Sequence, residues 1–320
     1  MLAFPTKIHI NEEGPREGFQ IEKAAIPTAR KVEFIDALAK TGLDHIQIVS
    51  FVNPKLVPGM ADAEEVVRRV APAPGVALTG LWLNRQGFER AFATERLHMT
   101  GSLALSASVA FLKRNQNRTP QEHADATHEM IGVYKERNLP IERAGVIAAF
   151  GCNFEGDVPV GRVVDLIGQM QDIVAQHDTK FSSLALYDTM GLATPLSVKR
   201  VVGSIQDHYP DLEIVLHLHD TRGLGLANAY AGLEMGVSRF DACVAGLGGC
   251  PFAGNAAAAG NVCTEDLIFM CHEMGVETGL DLEALIECAR LAEDIVGHPL
   301  PGSVMKGGSL ARLREKMRAR

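Results

Sequence analysis

The chain has 320 residues, 47% hydrophobic and 22% charged, a balance that supplies a large core and excludes an intrinsically disordered or fibrous protein. A formal net charge of -8 and a pI near 5.8 argue against a broad nucleic-acid footprint, and the locally basic tail from Lys306 to Arg320 reads as a solvated helix end. No run approaches the roughly 18 uninterrupted apolar residues of a membrane span. Six cysteines without a Cys-x-x-Cys pairing, and a start with neither a basic n-region nor a long apolar h-region, predict a reduced, cytoplasmic protein with no membrane or nucleic-acid partner.

Short β-like runs alternate with longer helical patterns from end to end. Candidate strands cover residues 7–11, 45–50, 76–83, 103–106, 146–150, 183–187, 213–219 and 239–244. Thr28 precedes a helical face of Val32, Ile35, Leu38 and Ala39. Thr119-Pro120-Gln121-Glu122 combines an N-cap, a first-turn proline and a capping-box glutamate. Thr194-Pro195 and Thr264-Glu265-Asp266 open two further helices in the same way. Eight β–α alternations with short loops predict an α/β fold, a parallel (β/α)8 TIM barrel. The competing open, doubly wound sheet is disfavoured because polar residues follow several different strand ends, and no Gly-x-Gly-x-x-Gly follows the first strand. One domain over 1–320 is expected, with 281–320 as C-terminal helices packed on the barrel.

The polar residues at those strand ends carry the candidate chemistry. A Gly14-Pro15 turn delivers Arg16 and Glu17 to the rim after the first strand, with Gln20 close behind. The second strand brings Gln47 and Ser50, and the sixth ends in Tyr187-Asp188. The seventh ends in His217-Leu218-His219, two imidazoles on one face of an apolar strand. That pair fits half of a metal site and equally fits two satisfied core histidines. Gly248-Gly249-Cys250 and Gly260-Asn261 follow the eighth strand. Taken singly, Arg16-Glu17 is a surface ion pair, Asp188 a cap, Cys250 an inert small residue and Asn261 a turn residue. Their collection at one end of successive strands favours a site.

The segments Gly14-Pro15-Arg16-Glu17-Gly18-Phe19-Gln20, Ser50-Phe51-Val52-Asn53-Pro54, His217-Leu218-His219-Asp220-Thr221 and Gly246-Leu247-Gly248-Gly249-Cys250-Pro251 with Gly260-Asn261 resemble the 3-hydroxy-3-methylglutaryl-CoA lyase family. The resemblance implies a metal-dependent retro-Claisen cleavage of a 3-hydroxyacyl-CoA to acetyl-CoA and a keto acid or ketone, by a homodimer. It implies Mg2+ or Mn2+ on Glu17, His217, His219 and Asn261. It assigns oxyanion stabilisation to Arg16, the hydroxyl proton to Asp188 or His217, and protonation of the enolate carbon to Cys250. Gln20, Gln47, Ser50, Tyr187 and Arg222 are the expected substrate contacts. Several positions depart from the family pattern. Glu17 stands where aspartate is usual, Gln47 where glutamate is usual, Ala185 and Tyr187 where serine and glycine are more frequent, and Arg222 where tyrosine is common. These departures predict a paralogue acting on a different 3-hydroxy-3-substituted acyl-CoA. A carboligase or aldolase on the same scaffold, or a catalytically silent CoA-ester-binding barrel, are the alternatives.

Overall fold

A computed structural model describes residues 4–23, 25–249 and 260–319. Eight strands alternate with helices: β1 His9–Glu12, β2 His45–Ser50, β3 Ala77–Leu81, β4 Gly101–Ser106, β5 Ile141–Ile147, β6 Ser183–Tyr187, β7 Glu213–His217 and β8 Arg239–Ala242. All ladders are parallel, in the order β3-β2-β1-β8-β7-β6-β5-β4, so the sheet curls with β1 joined to both β2 and β8. This is the TIM barrel, with its seam between β3 and β4.

Strand alternation divides the side chains into two sets. Ile10, Ile46, Ile48, Leu184, Leu186, Ile214, Leu216 and Phe240 are fully or almost fully buried and form the main apolar core with the surrounding helices. The opposite parity carries Asn11, His45, Gln47, Arg143, Tyr187, His217 and Asp241, in place of the branched apolar residues that usually fill a barrel. Register gathers this polar set at one level: Asn11 lies opposite His45 and Asp241, and His217 lies opposite Tyr187 and Asp241.

The expected strand over 146–150 lies earlier, at Ile141–Ile147. The charges of Glu142 and Arg143 make its first half look like a loop, but Arg143 turns inward onto Asp241, and Ala148, at φ 57°, ends the strand. β7 stops at His217, and His219 instead forms an isolated bridge with Asn261.

Thr119 and Glu122 form the expected capping box on the helix Pro120–Glu136, and Thr194 with Ser197 forms one on Pro195–His208. Thr264 is different. It is the first residue of the helix Thr264–Glu273, and its hydroxyl donates to Glu12 Oε2 at 2.6 Å in place of capping. Thr28 likewise starts the helix Thr28–Leu38 and donates to Asp62 at 2.7 Å. The helix Leu282–Val296, capped by Asp281, packs on Thr28–Leu38 and on the turn at Val244–Gly246. In the basic tail the helix Leu310–Arg318 buries none of its residues, as a solvated end should. Among the described residues no helix is long and apolar enough to cross a membrane.

Candidate active site

Beyond β1 the backbone of Glu13 still follows the sheet, its N–H donating to Ala242 O at 2.9 Å. A single wide helical turn over Gly14–Gly18 then lifts Arg16 and Glu17 over the barrel mouth. Gly248 closes against this turn with φ +92°, and a Cβ there would stand 2.9 Å from Glu17 Cγ and 2.8 Å from Asn261 Nδ2. Only glycine fits both that backbone and that space.

His217 and His219 reach the same region from β7. His217 Nδ1 sits 3.0 Å from Asp241 Oδ2, so it donates there and its Nε2 faces Glu17 Oε2 at 3.7 Å. His219 Nδ1 donates to Thr189 O at 3.1 Å, which turns Nε2 toward Glu17 Oε1 at 3.4 Å. One carboxylate thus faces the Nε2 atoms of both histidines, the arrangement that ligands around a shared cation take. Ligand atoms of Glu17, His217 and His219 all lie within 4.8 Å of one another.

The backbone bridge to His219 brings Asn261 alongside. Its Nδ2 donates to Cys243 Sγ at 3.1 Å, with Leu247 O at 3.5 Å, and its buried Oδ1 is without a partner. Glu17 Oε2 is also buried without a hydrogen bond; Arg16 Nη2 lies 3.2 Å away but without hydrogen-bond geometry. Two orphaned oxygens and two imidazole nitrogens make a donor set suited to a hard or borderline divalent ion, so these residues fit a metal. Two other clusters are less available. Glu13, His217 and Asp241 are engaged by Arg16, Arg143 and Asn11, while Glu265 and Asp266 beside Cys263 accept backbone N–H groups of Ala245, Ser303 and Val304.

Electrostatics follows from this crowding. Burial works against charge on His217, but Glu17, then Asp241 and Glu13, raise its pKa to about 9. Burial also opposes ionisation of Glu17, yet Arg16 and His217 hold it well below the usual carboxylate range. Asp241 is held low in the same manner by Arg143 and His217 against its burial. Burial pushes Glu13 up, and the Arg16 guanidinium touching it opposes that.

Arg16 is held on several sides: Nε donates to Gln47 Oε1 at 2.5 Å and Nη2 donates to Glu13. Asp188 is buried beside the histidines. Its Oδ1 accepts from Leu192 N at 2.8 Å and Ala193 N at 3.0 Å, which braces the turn after β6 and leaves the next helix to be capped by Thr194, while Oδ2 has no hydrogen-bond partner. Burial raises its pKa, against the pull of His219. The Tyr187 ring lies 5.0 Å from that of His217 and occupies the space over Gly145, where an added Cβ would come within 2.5 Å of Tyr187 Cε2.

A cavity of about 440 Å3 opens onto this group and is lined by Arg16, Glu17, Gln20, Gln47, Tyr187, His217 and His219. Ser50 and Arg222 do not line it. Ser50 is fully buried and donates to Gln20 Oε1 at 2.8 Å, and Arg222 Nη1 donates to Met190 O and Gly191 O at 3.1 and 2.9 Å. Cys250 lies outside the described residues. Glu13, Arg143 and Asp241 were not anticipated. A charged residue at inward parity within a predicted strand was the available signal for Asp241, and Glu13 adjoins the Gly-Pro-Arg-Glu turn.

A protein-family model described as HMGL-like matches residues 7–292. The chain belongs to the HMGL-like family. It is 37% identical over 285 residues to the mitochondrial hydroxymethylglutaryl-CoA lyase of Gallus gallus, covering 89% of this chain and 92% of that protein. With the hydroxymethylglutaryl-CoA lyase of Bacillus subtilis (strain 168) it shares 36% identity over 300 residues, 94% and 97% of the two chains. An HMG-CoA lyase from Acenitobacter baumannii, solved in complex with coenzyme A and 3-methylmalate, superposes with a TM-score of 0.86 at 35% identity, covering 97% of each chain. The family and the fold expected from the sequence are borne out, and the protein is a carbon–carbon lyase.

Proposed function

We propose that this lyase cleaves a 3-hydroxy-3-substituted acyl-CoA of the hydroxymethylglutaryl-CoA type into acetyl-CoA and a keto acid or ketone, with Mg2+ or Mn2+ held by Glu17, His217, His219 and Asn261. The observation that carries this reading is the convergence of the Nε2 atoms of His217 and His219 with the Glu17 carboxylate, and the buried, unpartnered Oδ1 of Asn261 alongside, at the mouth of a family barrel. A bound divalent ion supplies Lewis acidity, lowering the pKa of the substrate hydroxyl.

The chain's own groups supply the remainder. Asp188 Oδ2, unlike either ring nitrogen of His217, is committed to no partner, which favours it for accepting the hydroxyl proton. Loss of that proton turns the C3–O bond into a carbonyl as the C2–C3 bond breaks, and the electron pair passes to the thioester enolate. Arg16, fixed by Glu13 and Gln47, needs no reorganisation to stabilise the developing oxyanion. Cys250 delivers a proton to the enolate carbon, completing acetyl-CoA. A single lyase domain over 1–320, a cytoplasmic location and a homodimer belong to the same reading; the first is supported by the continuous β–α alternation, the second by cysteines without a Cys-x-x-Cys pairing, and the third by the family resemblance.

The test is a panel of 3-hydroxyacyl-CoA thioesters assayed for acetyl-CoA release, with Cys250→Ala and His219→Ala as controls. Metal-dependent release that both substitutions abolish supports the proposal. Consumption of acetyl-CoA in place of release overturns it in favour of a carboligase.

A further inference from the structure

Arg16 is bound by two different kinds of neighbour. Glu13, 4% exposed, receives a hydrogen bond from Nη2, while Nε donates to the neutral Gln47. Glu13 faces Arg16 at close range and His217 Nδ1 only at 3.9 Å, so the guanidinium is its principal cation. A carboxylate buried to this degree is stable in its charged form only beside such a partner, and the arginine in turn is fixed by it. The counter-charge to Arg16 thus comes from the end of β1 as well as from Glu17, and none comes from β2.

The orientation of Gln47 follows. A guanidinium has only donors, so the amide oxygen must face Arg16 and the amino group must turn away from it. Gln47 lines the cavity, and no described residue accepts a hydrogen bond from its Nε2. The wall beside Arg16 therefore presents two N–H donors to whatever enters, where a glutamate at position 47 would present acceptors and a negative charge.

We infer that Glu13 is the positioning counter-ion of Arg16, and that this frees Gln47 to be a specificity-determining donor to an oxygen acceptor on the acyl group, a carboxylate or a carbonyl. The inference rests on the lyase reading above and deepens it: the favoured thioesters are those whose C3 substituent carries such an oxygen. Matched substrates separate this from a merely structural role. One is 3-hydroxy-3-methylglutaryl-CoA, and the other is 3-hydroxy-3-methylpentanoyl-CoA, in which a methyl replaces the distal carboxylate.

The experiment compares wild type, Glu13→Gln, Gln47→Glu and the double variant, by steady-state kinetics on both thioesters, Mn2+ titration calorimetry and thermal melting. Glu13→Gln is expected to lower kcat about 100-fold through a loosened Arg16, with Mn2+ affinity unchanged. Gln47→Glu should raise KM for the carboxylate-bearing thioester about tenfold more than for the neutral one, the cost of losing a hydrogen bond to a charged group. The double variant, which moves the carboxylate across Arg16, should recover most of the kcat lost in Glu13→Gln while keeping the raised KM.

A Glu13→Gln enzyme with wild-type kcat overturns the inference, and so does a double variant no faster than Glu13→Gln. A fall in Mn2+ affinity on Glu13→Gln also overturns it, by making Glu13 part of the metal site. If wild type releases no acetyl-CoA from either thioester, the lyase reading itself has failed and takes this inference with it.

Discussion

Glu12 belongs to the strand parity that faces the helices, and there it is fully buried. Its Oε1 accepts from Gly14 N at 2.9 Å and Val244 N at 3.0 Å, and its Oε2 from Thr264 at 2.6 Å, so it ties the Arg16 turn to the segment after β8. Burial, opposed by these three hydrogen bonds, raises its pKa from 4.5 to about 8. A folded-state value above the unfolded one means that the folded protein binds the extra proton. The stability this provides is complete below pH 4.5 and is lost as pH rises through about 8. The span between the two values corresponds to roughly 5 kcal/mol, an order-of-magnitude figure. Glu12→Gln copies the neutral acid: its amide oxygen accepts both backbone N–H groups and its amino group donates to the Thr264 hydroxyl. Urea unfolding of metal-free wild type and Glu12→Gln at about pH 4, 6 and 8.5 should give similar midpoints at the lowest pH and an advantage for the variant that grows to its full size at the highest. Glu265, raised to about 7 by burial, titrates in the same window and its charge also pushes Glu12 up, but it is common to both proteins, so the difference reports Glu12 together with that coupling. Parallel pH profiles, or a variant that is less stable at pH 8.5, would refute the reasoning.

Other outcomes bear on the site itself. Glu17→Ala removes the carboxylate shared by both histidines and should weaken Mn2+ binding at least 100-fold by calorimetry; unchanged affinity would remove Glu17 from the ligand set. Because the carboxylates around it hold His217 charged up to about pH 9, Mn2+ binding near pH 7 should release about one proton per ion, read from titrations in buffers of different ionisation enthalpy. Buffer-independent heats would contradict that. Gly145→Ala places a Cβ 2.5 Å from Tyr187 Cε2 and should cost about 1–3 kcal/mol while displacing the ring next to His217, measured by denaturant unfolding and a changed KM.

The barrel was legible because short apolar runs alternate with helical patterns eight times along the chain. His217 and His219 were legible because strand parity puts them on one face. Asn261 was placed by resemblance, and the bridge to His219 brings it to the pair. What sequence patterning hides is a polar barrel interior. Arg143 and Asp241 look like loop or surface charges in one dimension, and only the register that sets β5 and β8 around a shared centre makes them an ion pair, which also misplaced β5. Thr264 has the composition of a cap but is drawn to Glu12, a partner 252 residues away in sequence that local propensity does not contain. Glu13 escaped notice because its importance depends on the side of Arg16 it reaches.

The most direct test of the central claim is acetyl-CoA release from 3-hydroxy-3-substituted acyl-CoA thioesters by metal-stripped protein, before and after addition of one equivalent of Mn2+, with His219→Ala alongside. Metal-dependent cleavage requires release that appears only with the ion, saturates near one ion per chain and is absent in the variant. Release that ignores the ion, or a wild-type protein that holds the ion and cleaves none of the thioesters, would contradict it.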